Sequence, residues 1–71
     1  MNVTMYGTHC SQCNVMEAKL KKAGISYNYI DDEDTVIRFG REHNISMMPI
    51  VVVDGNVMNY SEALRWVKEI A

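Results

Sequence analysis

Apolar Met1, Val3 and Met5 alternate with Asn2, Thr4 and Tyr6, a period of two that predicts a first strand over residues 1–6. From Cys13 the period changes. Cys13, Met16, Leu20 and Ala23 recur at helical spacing, with Glu17, Lys19, Lys21 and Lys22 on the other side, and Gly24 supplies the stop. Ile25 to Ile30 alternate again, with Ile25, Tyr27 and Tyr29 on one side, which predicts a second strand. The acidic run Asp31-Asp32-Glu33-Asp34 opens a second helical stripe of Val36, Phe39, Gly40 and His43. Asn44 to Met48 form a loop leading into Pro49, and Ile50 to Val53 read as a strand buried on both faces. Asp54-Gly55 is a hairpin signal before a returning strand over residues 57–60. Ser61 is placed to N-cap a last helix, with Leu64, Val67 and Ile70 or Ala71 facing the core and Trp66 packing beside them.

The predicted order is βαβ, then α, then ββα. A strand joined to the next by a helix implies a right-handed crossover and a parallel pair. Composition adds limits. With 71 residues, 48% of them apolar, the chain makes one domain (1–71) with a single core. A net charge of −2 provides no electrostatic case for nucleic acid or a membrane surface. No apolar run approaches a membrane span, and the first residues lack a basic segment followed by an apolar one, so the expected location is the cytoplasm. In that compartment two cysteines are expected to cycle between thiol and disulfide rather than staple a fold.

Those two cysteines, Cys10 and Cys13, bracket Ser11-Gln12 at the first strand-to-helix junction. Thiols at i and i+3 on a helix approach closely enough to close a small disulfide ring. Cys10 falls where free backbone N–H groups and the helix dipole favour an anion, with the amides of Gln12 and Cys13 as expected donors. A thiolate is that anion, and it is the nucleophile of disulfide exchange. The apolar stripe puts Cys13 on the buried face and leaves Cys10 at the exposed tip. The acidic run reads either as a patch for a basic partner or metal, or as an N-cap and first turn, and the helical stripe behind it favours the cap. His43 reads as a capping residue in preference to a base or ligand. His9 adjoins Cys10 and either adds positive charge there or is an exposed loop residue without a role.

With Cys10-Ser11-Gln12-Cys13 at this junction, Met48-Pro49 before the third strand and Asp54-Gly55 before the final helix, the whole chain resembles the thioredoxin superfamily in its smallest, glutaredoxin-like form. The resemblance implies an α/β minimal thioredoxin fold, a four-stranded mixed sheet flanked by three helices. It implies that Pro49 is cis and lies beside the cysteines, with the Met48 backbone able to pair with a substrate strand. It also implies a dithiol–disulfide oxidoreductase without cofactor, acting as a monomer on protein disulfides, with ribonucleotide reductase among the candidate acceptors. Cys10 would attack the substrate, Cys13 would resolve the mixed disulfide, and Ser11, Gln12, Met48 and Pro49 would line the substrate site.

Departures from family patterns bear on the reductant. Glutathione-using glutaredoxins usually carry lysine where this chain has Gly7, Pro-Tyr at Ser11-Gln12, and Val at Met48. Their Gly-Gly-x-Asp glutathione grip aligns with Asn59-Tyr60-Ser61-Glu62. The polar Ser11-Gln12 is closer to the redoxins recharged by thioredoxin reductase, but their Trp-Ser-Gly-Phe-Arg signature survives only as an aromatic and Ser in Tyr60-Ser61-Glu62-Ala63-Leu64. Recharging by thioredoxin reductase is preferred over glutathione. Two other classes stay open: a zinc or iron–sulfur module built on the same cysteines with His9 or His43 or across a dimer, and a non-catalytic binding domain. Structural zinc normally takes four protein ligands, and no second cysteine pair exists here. Of the six methionines, Met5, Met47, Met48 and Met58 form either an adaptable rim for partners or, the preferred reading, core filler.

Overall fold

The computed structural model describes residues 1–70. Its elements follow the predicted order: β1 Val3–Tyr6, α1 Ser11–Lys22, β2 Asn28–Ile30, α2 Glu33–Glu42, β3 Ile50–Val53, β4 Asn56–Met58 and α3 Tyr60–Ile70. The four strands form one mixed sheet in the order β2-β1-β3-β4, with β1 and β2 parallel and the other two pairs antiparallel.

Register sorts the side chains into two layers. Met5 pairs with Tyr29 on β2 and Val51 on β3, and Val51 pairs with Met58 on β4. Directly paired residues share a face. On that face Val3, Met5, Val51 and Met58 pack with Cys13, Met16 and Leu20 of α1 and Ala63 and Val67 of α3. The neighbouring pair, Tyr6 and Ile50, points the other way. There Tyr6 stacks on Phe39 of α2, ring centroids 4.0 Å apart, and Gly40 lies against Ile50. So α1 and α3 cover one side and α2 the other. The cysteines belong to the two-helix side.

Several boundaries differ from the sequence reading, each for a local reason. Met1 is exposed and pairing starts at Val3. The second strand begins at Asn28, not Ile25, because the end of α1 uses the intervening backbone. Gly24, at φ +72°, donates to the Lys21 carbonyl, and Ile25 donates to that of Leu20, a Schellman closure. Asn44 at φ +56° closes α2 the same way, with Asn44 N–H on the Arg41 carbonyl and Ile45 N–H on that of Gly40. The hairpin is as predicted, Asp54 and Gly55 both at positive φ. Within β3, Ile50 and Val51 are buried but Val52 and Val53 only half so.

The start of α3 needs correction. Asn59, not Ser61, is the N-cap. Its side chain accepts from the Glu62 N–H at 2.8 Å while the Glu62 carboxylate accepts from the Asn59 N–H at 3.0 Å, a reciprocal capping box. The helix therefore begins earlier, ending β4 at Met58, and its buried stripe is Ala63 and Val67 with Leu64 beside it. Ile70 is exposed, and Ala71 lies outside the described residues. Trp66 packs against the core as expected.

Asp32 caps α2, accepting from the Thr35 N–H at 3.1 Å and the Thr35 hydroxyl at 2.6 Å. These bonds to Thr35 hold its carboxyl below the usual aspartate range. A depressed value means the stabilisation is full above the unfolded-state value and is lost as pH falls through the folded one. Asp32→Ala is expected to lower the thermal midpoint near neutral pH, with the gap to the parent narrowing as pH falls below the ordinary aspartate value of about 3.9. Circular dichroism melts across that range check it, and a gap independent of pH would refute the charged cap.

Candidate active site

The site is assembled where β1 hands over to α1. The Gly7 N–H donates to the Ile30 carbonyl at 3.1 Å, extending the β1–β2 pairing past Tyr6. The chain then turns through His9, at φ +58°, into Cys10, whose extended backbone (φ −77°, ψ 173°) makes it the N-cap of α1. Asn14 N–H bonds the Cys10 carbonyl at 2.9 Å, the first helical hydrogen bond. Of the two amides expected at Cys10, that of Cys13 donates to its Sγ, at 3.2 Å. The thiol itself faces the Met48 carbonyl at 3.8 Å.

Tertiary structure thus brings together the distant parts named from sequence. The Met48–Pro49 bond is cis, as the resemblance implied, and Pro49 is buried behind it. Ser11 is exposed and Gln12 half-buried beside the thiols. Cys13 is 0% exposed, whereas Cys10 keeps part of its surface open. Met47, 62% exposed, stands next to this surface, while Met5 and Met58 are core. The methionine rim therefore reduces to Met47 and Met48.

Burial pushes the Cys13 thiol up, but hydrogen bonds outweigh it and hold it below its ordinary range. They come from the Cys10 thiol, the Thr8 and Cys10 backbones and the Tyr29 hydroxyl. That lowered proton affinity favours the Cys13 thiolate. Access decides otherwise, because an incoming disulfide can touch only a sulfur with open surface. Cys10 is the sulfur this geometry leaves accessible, and Cys13 lies buried behind it.

Three neighbours complete the site, of which only His9 was weighed from the sequence. Tyr29, on β2, lies across Gly7 from Cys13, and its hydroxyl accepts from the His9 N–H at 3.1 Å. The His9 ring stacks on that of Tyr29, centroids 4.7 Å apart and 9° from parallel. His9 Nε2 meets Asp31 Oδ2 at 2.8 Å. Asp31 thus belongs to this surface, not to the capping turn that Asp32 begins. The alternation of Ile25, Tyr27 and Tyr29 signalled a shared side; only the register of β1 on β2 shows that side to be the thiol side. His43 is the C-cap of α2, stacked against Phe39, its ring centroid 4.4 Å away. Among the described residues no group of three or more His, Cys, Asp or Glu side chains is arranged to hold a metal ion.

No protein-family model matches the chain, and no curated protein matches its sequence. The fold is similar to the crystal structure of a thioredoxin-like protein in a threonine-to-alanine mutant form. The TM-score is 0.74, with 22% identity over 99% of this chain and 97% of that one. The architecture is a minimal thioredoxin fold.

Proposed function

From a thioredoxin fold with two thiols at the β1–α1 junction, we propose that this chain is a dithiol–disulfide oxidoreductase that reduces protein disulfides. One observation carries it: a half-buried Cys10 Sγ on a helix N-terminus, bonded by the Cys13 amide at 3.2 Å, directly above a buried second thiol. An exposed helix N-terminus favours negative charge on the sulfur that must attack.

Cys10 thiolate attacks one sulfur of a substrate disulfide; the Cys10–substrate bond forms, the substrate S–S bond breaks, and the first substrate sulfur leaves as thiolate. Cys13, as thiolate, then attacks Cys10 Sγ, the mixed disulfide breaks, and the second substrate sulfur leaves. The substrate gains two electrons and takes up two protons, and the protein ends as the Cys10–Cys13 disulfide. An external thiol or dithiol reductant returns it to the dithiol. Met48, whose carbonyl lies at the thiol, offers backbone for an extended substrate segment, with Ser11, Gln12, Met47 and Pro49 around it.

Two reductants compete. A groove of about 410 Å³ beside Met47 is lined by Asn44, Ile45, Ser46, Asn59, Tyr60 and Ser61. It carries no cation for the carboxylates of glutathione, and Asn59 and Glu62 are already committed to each other as a helix cap. Both points favour a thioredoxin-reductase type of recharging. Ribonucleotide reductase is the acceptor the resemblance suggests, and a reducing cytoplasm is the setting in which two cysteines work as a cycling pair. Among the described residues no helix is long and apolar enough to cross a membrane.

The test is NADPH oxidation with a model protein disulfide and either thioredoxin reductase or glutathione with glutathione reductase. Turnover with the thioredoxin reductase system is the expected result. Turnover only with glutathione would move the protein to the glutaredoxins. Turnover with neither, on fully reduced protein, would sink the general reductase reading.

A further inference from the structure

We propose that Tyr29 is the hydrogen-bond donor that readies Cys13 to resolve the mixed disulfide, and that Gly7 is glycine to leave room for it. The inference rests on the dithiol reading above. In the parallel register Tyr29 sits opposite Met5, so its ring lies on the face covered by α1. The stacked His9 ring flanks it, and Asp31 holds that ring in turn. The left-handed turn at His9 aims its N–H at the phenol oxygen, 3.1 Å away. With that lone pair occupied, the phenolic proton is available to the sulfur.

Gly7 shows how closely the parts converge. A Cβ at this position would lie 2.6 Å from the Tyr29 oxygen and 3.0 Å from Cys13 Sγ. No side chain fits between hydroxyl and sulfur. This explains why glycine stands at a position where a larger residue would displace the tyrosine.

The hydroxyl is a donor, not a base. Burial first, then the neighbouring Cys13, push the Tyr29 phenol up to about 12 despite the His9 backbone bond, so it keeps its proton at neutral pH. Its role is sharpest in the second step. In the mixed disulfide Cys10 has no proton left to donate to Cys13, and Tyr29 is then the side-chain donor that remains. It stabilises the Cys13 thiolate that forms the Cys10–Cys13 bond while the substrate thiolate departs. The proton of Cys13 goes to solvent or to that leaving sulfur. The other titratable groups around the pair are Cys10 and Glu17 on α1, His9, Asp31 and Tyr27. Glu17 is engaged by the Tyr27 hydroxyl at 2.6 Å.

The experiment is stopped-flow reaction of reduced protein with dithiobis(nitrobenzoate), which releases one coloured thiolate as Cys10 attacks and a second as Cys13 resolves. Tyr29→Phe keeps the ring and removes the hydroxyl. The first phase should be unchanged. The profile of the second should move to higher pH. Each tenfold loss of thiolate raises the reactivity of what remains by about threefold, so the second phase should fall about threefold at pH 7 and rise about threefold on its alkaline plateau. Gly7→Ala, which displaces the hydroxyl from the other side, should reproduce that crossover. A second phase with the parent's profile in both variants, or both phases slowing together at every pH, would overturn the assignment. If the reduced parent releases only one thiolate per protein, or releases two without forming the Cys10–Cys13 disulfide, the dithiol reading itself fails, independently of Tyr29.

Discussion

Cys10→Ser should reduce turnover to the uncatalysed background, while Cys13→Ser should still attack and then stop, accumulating one mixed disulfide per protein. The difference follows from access and not from thiol acidity. Cys13 is fully buried and hydrogen-bonded below its ordinary range, yet no substrate sulfur can reach it from outside. Cys10, at the helix tip, is the reachable sulfur, and a serine hydroxyl there is no nucleophile towards a disulfide. Mass spectrometry after exposure to a disulfide-bonded protein reads both results. Adduct on Cys13 in the Cys10→Ser variant, at the parent's rate, would reverse the assigned roles. Loss of the adduct from Cys13→Ser would show that the pair acts only as a unit. Neither substitution empties much volume, so circular dichroism should show both variants folded.

Gly40→Ala should destabilise the protein and slow it, although the same change in an ordinary helix interior gains roughly 0.5–1 kcal/mol. Gly40 lies on the buried stripe of α2, where the chain folds straight back after the helix. Its carbonyl accepts from Ile45 N–H at 2.8 Å. A methyl there would meet the Ile45 carbonyl oxygen at 2.5 Å and Met48 Cε at 3.0 Å. The first is backbone and cannot rotate away, so the segment from Ile45 to Met48 must shift. Forced overpacking of this kind costs about 1–3 kcal/mol, which for a chain this small lowers Tm by roughly 7–20 °C. Because the Met48 carbonyl is 3.8 Å from Cys10 Sγ, the displacement should also reach the thiol surface and reduce turnover in the fraction that remains folded. An unchanged Tm would mean that the loop yields without cost.

Both predictions show where sequence reasoning carried and where it stopped. The difference in burial between Cys10 and Cys13 was legible because one helical turn separates them and the stripe of Met16 and Leu20 names the buried side. The hairpin at Asp54-Gly55 and the helix end at Gly24 were legible because left-handed backbone is local and glycine marks it. The start of α3 was misplaced because Ser61 and Asn59 are both competent caps, and the choice went to the one whose partner, Glu62, stands at the reciprocal spacing. Gly40 read as part of a helical stripe, with no sign that a backbone carbonyl would lie against it.

By itself, then, the amino-acid order determined the succession of strands and helices, the thiols at the first junction and the proline before β3. Each of these depends on residues within a turn or two of one another, where period, caps and backbone preference act directly. Only the tertiary structure decided that Tyr29 faces Cys13, that Gly7 makes the gap between them, and that Met48 lies over Cys10. Those contacts join segments far apart in the chain. They depend on the register of β1 against β2 and β3, which is set by the burial of a whole face against α1 and α3 and not by any local signal.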